Sequence, residues 1–328
     1  MLWLIGNKGM LGAEFSLILE KRGIPFIGTD REVDIVDSSA LVSFVESRGR
    51  AEPITWIVNC AAYTAVDKAE DDRDFCRRLN TEGPGNIARI AQGMGARLIH
   101  ISTDYVFDGK GVWEGGSRRP YRETDETGPV GVYGLTKRDG ERAVLENNSR
   151  SYIVRTAWLY GRHGGNFVHT MLRLMNERDE VRVVNDQCGN PTWAGDLAET
   201  LAAVVSGERD GRQVPCGIYH YTDEGSITWF DFALEIYGQG RRLGLIKKDC
   251  VVRSCSSAGF PARVTRPMYS VLDKAKIRSA LGVDIPAWDE SLMRYLRTMA
   301  KEEGLLNDVA RSDARWKPRF ESCSQSLA

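Results

Sequence analysis

Tyr133 and Lys137 stand four residues apart in Tyr133-Gly134-Leu135-Thr136-Lys137. On a helix, that spacing carries a phenol and an ammonium to one face. A cation beside a phenol favours its ionised form, so the pair is suited to exchanging a proton near neutral pH. Tyr and Lys at helical spacing are also common on plain surfaces, so the pair takes its meaning from what precedes it. Ser102-Thr103-Asp104-Tyr105 closes an apolar run that reads as a strand, and ligands bind at the carboxyl ends of parallel strands. Thr103 offers a hydroxyl to a substrate carbonyl, with the Asp104 carboxylate beside it. The plainer alternative is a turn capped by Asp104 and Asp108.

Gly6-Asn7-Lys8-Gly9-Met10-Leu11-Gly12 follows the first apolar run and opens a helical stretch. In that setting a glycine turn lets the backbone approach a pyrophosphate at the positive end of a helix. The spacing is GxxGxxG rather than GxGxxG, and a tight turn without a ligand is the competing reading. Asp30, Arg31, Asp34 and Ile35 follow the second apolar run. An acid there accepts hydrogen bonds from the ribose of NAD, and an arginine pairs with the 2′-phosphate of NADP. Both are present, so the cofactor is expected to be NADPH or NADH.

These groups need a scaffold, and the patterning supplies one. Leu2 to Ile5, Pro25 to Gly28, Trp56 to Asn59, Arg97 to Ile101 and Tyr152 to Arg155 read as strands. Helical stretches separate them, at Met10 to Lys21, around Leu41 to Val45, at Thr81 to Gln92 and from about Val132. The alternation predicts an α/β fold with a doubly wound parallel sheet. Residues 1–155 are expected to form the dinucleotide-binding domain, with about 181–206 returning to it. Residues 156–307 are expected to form mainly a smaller, interleaved substrate domain. The polar stretch 308–328 reads as a frayed tail.

Forty-four Lys+Arg balance 45 Asp+Glu, for a formal net charge of -1. That argues against a nucleic-acid or polybasic membrane partner. No apolar run reaches the roughly 20 residues of a membrane span, and Met1 to Ile5 is too short for a signal core. The 7 cysteines are scattered, without zinc spacing, and read as free thiols in a reducing cytoplasm.

Together these segments resemble the dTDP-4-dehydrorhamnose reductase family, within the extended short-chain dehydrogenase class. The likeness runs from Gly6 to about Leu292. Asn59 to Glu70 is similar to the family's NAA-x-TAVDKAE, Ser102 to Gly109 to its STDYVFDG, and Val132 to Lys137 to its VYGxxK. Arg155 to Gly161, Asp186 to Thr192 and Arg266 to Asp273 resemble three further motifs. The resemblance implies that Tyr133 donates a proton, Lys137 assists it, Thr103 holds the keto oxygen and Asp104 lines the same site. It places Gly6, Gly9, Met10, Leu11, Asp34, Ile35, Ala61, Ala62 and Tyr63 against the dinucleotide. Thr64, Val66, Tyr105 and Trp158 would face the sugar nucleotide. Trp158 is a flat apolar wall in this reading and a core aromatic in the plainer one.

The implied reaction is reduction of the C4 keto group of a nucleotide-linked 6-deoxy sugar. An epimerase or 4,6-dehydratase of the same class stays open, as does a non-catalytic nucleotide-binding subunit. A homodimer also stays open. The basic stretch Lys110 to Gly131 and Gly128-Pro129-Val130-Gly131 depart from the family pattern. Some members carry magnesium at a dimer interface; the resemblance offers Glu14 and Asp196 as counterparts of two of its ligands and identifies no third, so no metal is predicted.

Overall fold

Leu2–Ile5 and Trp56–Asn59 are buried along their whole length, the pattern of strands covered on both faces by helices. The computed structural model describes residues 1–306 apart from 49–52, 210, 212 and 260–262; the stretch read as a tail lies outside the described residues. Strands β1 (Leu2–Ile5), β2 (Phe26–Thr29), β3 (Trp56–Asn59), β4 (Arg97–Thr103), β5 (Ser151–Thr156) and β6 (Gly217–His220) form a six-stranded sheet. Its order is β6-β5-β4-β3-β1-β2, and every pairing is parallel.

Alternate side chains of each strand point to opposite layers. Leu2 and Leu4 pack with Leu11, Phe15 and Leu19 of α1 (Met10–Lys21) and with Leu197 and Leu201 of α6 (Ala194–Arg209). Trp3 and Ile5 face the other way, toward α2 (Ser38–Arg48), α3 (Gly83–Met94) and α4 (Val132–Asn147), meeting Leu41, Ile87 and Val144. This is the doubly wound α/β arrangement. The chain runs from β1 outward to β2, then crosses back to β3, so the order reverses between β1 and β3. A crevice therefore opens beyond their carboxyl ends.

A second core joins α5 (Phe167–Glu177), α7 (Trp229–Arg242) and α8 (Trp288–Glu302). Within the stretch 181–206, helix α6 packs on α1, whereas Glu180–Val184 pairs in parallel with Val251–Cys255, away from the large sheet. The helix expected from Thr81 begins at Gly83, because Arg78–Glu82 form a π turn. Lys110 to Gly131 carries a short hairpin, Val112–Glu114 with Ser117–Arg119, and Arg119 closes it through a two-pronged bond to Asp125 at 2.6 and 2.8 Å. No described helix is long and apolar enough to cross a membrane.

Candidate active site

The crevice at the strand reversal is a cleft of about 670 Å³ lined by Gly6, Gly9, Asp30, Arg31, Asp34, Ile35, Ala61, Ala62, Tyr63 and Thr64. Gly6 has φ 78, and a Cβ there would lie 2.8 Å from the Ala61 nitrogen; only glycine fits both demands. Helix α1 starts at Gly9 with no side chain capping it, leaving first-turn N–H groups for an anion. The side chains of Met10 and Leu11 do not line the cleft, and that of Leu11 is core; what they offer a dinucleotide is backbone N–H. The buried Asn7 Oδ1 has no hydrogen-bond partner. A turn, an open helix end and acids beside an arginine fit a nicotinamide dinucleotide. Thr64, expected on the substrate side, lines this cleft, and Val66 lines neither cavity.

Strand β4 delivers Thr103 and Asp104, both buried. The Thr103 hydroxyl donates to Asp104 Oδ1 at 2.9 Å, while the buried Asp104 Oδ2 has no hydrogen-bond partner. Burial pushes the Asp104 carboxyl up to about 6. Tyr133 sits in the first turn of α4, its ring 5.5 Å from that of Tyr105 and edge-on to it. Burial holds its phenol well above the ordinary range; Thr103 opposes this, and Asp104, Tyr105 and Cys76 add to it. The lysine does not dominate, contrary to the spacing argument. Lys137 is itself buried, gives a hydrogen bond to the Ile101 carbonyl at 2.6 Å, and is pushed down to about 8, first by burial. Tyr133 is therefore a protonated acid at neutral pH.

Beside this centre lies a cavity of about 380 Å³ lined by Asp104, Tyr105, Trp158, Trp229, Arg182 and Arg266 among others. Trp158 is half-buried with φ 46, the left-handed region that a bulky side chain rarely adopts. Its ring stacks on Trp229 with centroids 3.6 Å apart. It is thus a cavity wall that leans on the second core.

The family described as RmlD substrate binding domain matches residues 1–301. A dTDP-4-dehydrorhamnose reductase from Streptomyces griseus is 45% identical over 305 residues, spanning 92% of this chain and 95% of that protein. The chain belongs to the dTDP-4-dehydrorhamnose reductase family. The crystal structure of the reductase from Bacillus anthracis in complex with NADP is similar with a TM-score of 0.80 and 34% identity, over 90% of this chain and 98% of that one. The Clostridium acetobutylicum member gives a TM-score of 0.81 at 38% identity, over 91% and 99%.

In this member of the reductase family, the magnesium ligands do not assemble. Arg162 grips both oxygens of Glu14 at 2.9 and 3.0 Å. Ser291 and Arg294 hold Asp196. The residues do not fit a cation. Several contributors are invisible to motif reading. The π turn places buried Asn80 so that its side chain accepts from the Tyr63 nitrogen at 2.8 Å and donates to the Tyr63 carbonyl at 3.0 Å. It also brings Arg78 to the dinucleotide cleft, and the short helix before it, Arg73–Arg77, brings Phe75. Trp229 and Arg182 reach the second cavity from segments where only helix and strand periodicity was readable.

Proposed function

We propose that this chain is an NAD(P)H-dependent reductase of a dTDP-linked 6-deoxy-4-keto sugar, converting dTDP-4-dehydro-L-rhamnose to dTDP-L-rhamnose. The observation that carries this reading is the meeting of buried Thr103 and Asp104 with half-buried Tyr133, beside the second cavity, which Asp104 lines. When bound, the reduced nicotinamide supplies a hydride. The chain supplies the rest. Tyr133, kept protonated by burial, delivers its proton to the carbonyl oxygen, which Thr103 positions. Lys137 lies one helical turn further on and holds a positive charge below about 8. Asp104 offers its unpartnered oxygen to a sugar hydroxyl. Trp158 and Trp229 form an apolar slab that keeps water from the reacting ring. Gly6, Gly9 and the start of α1 hold the pyrophosphate, and Asp30 and Arg31 meet the adenosine ribose.

The test is loss of reduced-nicotinamide absorbance with a panel of nucleotide-linked 4-keto sugars, with the product identified. Turnover confined to dTDP-4-dehydro-L-rhamnose is expected. Isomerisation without net oxidation of the cofactor would give the site to an epimerase instead.

A further inference from the structure

Lys137 Nζ lies 3.4 Å from Nε2 of His100, which is fully buried on β4. The other ring nitrogen, Nδ1, meets Asn59 Nδ2 at 3.1 Å. Asn59, buried at the end of β3, accepts the Ala61 backbone N–H on its Oδ1 at 3.0 Å. That last bond decides the others. A backbone N–H only donates, so the oxygen of Asn59 must face Ala61 and its NH₂ must face the ring. An NH₂ only donates, so Nδ1 is an acceptor. A neutral imidazole with a bare Nδ1 carries its hydrogen on Nε2, and His100 therefore turns an N–H toward Lys137.

We infer that Asn59 and His100 form a buried, directional relay from the cofactor loop at Ala61 to the Lys137 amine, and that its direction favours the uncharged amine. His100 is then a positioning residue for the proton chemistry proposed for Tyr133 and Lys137, and the inference rests on that reading. The other groups facing the amine are Glu141 on α4, Cys60 after β3 and Cys76 on the short helix Arg73–Arg77. All of them favour its charged form, so the relay acts with burial and against them. Burial and the Lys137 charge hold the His100 ring well below the usual histidine range, so it stays neutral.

Asn59→Asp keeps an oxygen for Ala61 and replaces the NH₂ by an acceptor, which reverses the relay. The basic limb of the kcat/KM profile is expected to move up by about one pH unit or more. On a His100→Leu background the same change keeps the added charge without the ring, and the shift should be clearly smaller. Equal shifts, or none, overturn the relay. Long-range ¹H–¹⁵N spectra of the unmodified full-length chain read the tautomer directly, with the His100 ring assigned by its loss in His100→Gln. A bare Nδ1 and a protonated Nε2 are expected, and a protonated Nδ1 overturns the proposal even if the double variant fails to fold. Tyr133→Phe is measured alongside. Retained turnover there would remove the acid assignment and leave the tautomer spectrum to decide the relay.

Discussion

A phenol that must give up its proton once per turnover is best kept protonated until the substrate arrives, and burial does this for Tyr133. Tyr133→Phe is expected to lower kcat by at least about 10²-fold, with NADPH affinity unchanged by fluorescence titration. The two other titrating groups set the working range. Asp104, raised to about 6, is a carboxylate above that pH and neutral below it. Lys137, lowered to about 8, is charged below that pH and neutral above it. If both charged forms are needed, kcat/KM should rise through about 6 and fall through about 8. Asp104→Asn should erase only the acid limb. An acid limb that survives would mean another group is titrating. The Tyr133–Lys137 pair is legible in sequence because helical spacing alone puts both on one face. The direction of the tyrosine shift is not, because burial, the Thr103 hydrogen bond and the charges of Asp104, Tyr105 and Cys76 are set by other elements. His100 lies in an apolar strand and reads there simply as core.

Elements turn those side chains into two cavities. The strand reversal between β1 and β3 and the glycine turn were foreseeable, since alternating buried strands and helices allow few topologies. Val251–Cys255 was not, because its largely exposed residues carry no alternation. The π turn at Arg78–Glu82 was not either, because no composition marks it. The wall formed by Trp158 combines both situations. Its ring lies between Trp229 and Gly189, where an added Cβ would sit 2.6 Å from the indole. Gly189→Ala should push the wall into the cavity and lower kcat/KM for the keto sugar about tenfold, leaving cofactor binding intact. Trp158→Ala should cost about 1–3 kcal/mol in kcat/KM. A large fall in melting temperature, with normal kinetics in the protein that remains folded, would make Trp158 a core residue only. In the other cavity, Asp30→Ala should shift the kcat/KM ratio toward NADPH by removing a carboxylate that repels a 2′-phosphate. An unchanged ratio would move the ribose elsewhere.

At the scale of the whole molecule, residues 263–273 run beside the site and tie the loop that follows β4 to the segment around Cys188. Tyr269 donates its backbone N–H to the Gly109 carbonyl at 2.9 Å, Ser270 to that of Cys188 at 2.8 Å, and Tyr121 to that of Val271 at 2.8 Å. Pro267 lies where a Gly109 side chain would be, 2.7 Å from its Cβ position. This strap carries Arg266 into the cavity wall, where it pairs with Asp67 and donates to the Tyr105 hydroxyl at 3.2 Å. The chain as a whole is nearly neutral, at -1, so attraction for a nucleotide diphosphate must come from local cations. Arg266 and Arg182 are those lining this cavity. Arg182 is largely exposed beside Glu180 at 3.2 Å, whereas Arg266 is mostly sheltered, which leaves it less screened. A guanidinium also matches phosphate oxygens in pairs, which an ammonium cannot do. Arg266→Gln is therefore expected to raise KM for the sugar nucleotide about tenfold or more, the scale of one lost charge-assisted bond. The Kd for NADPH should not change, because the dinucleotide cleft does not include the strap. The rise of KM with added salt should also flatten, since one of the charges being screened is gone. Arg266→Lys should recover the salt dependence but only part of the affinity. A KM unmoved by Arg266→Gln would place the diphosphate outside the strap's reach and leave Arg266 as a tie between the strap and Asp67.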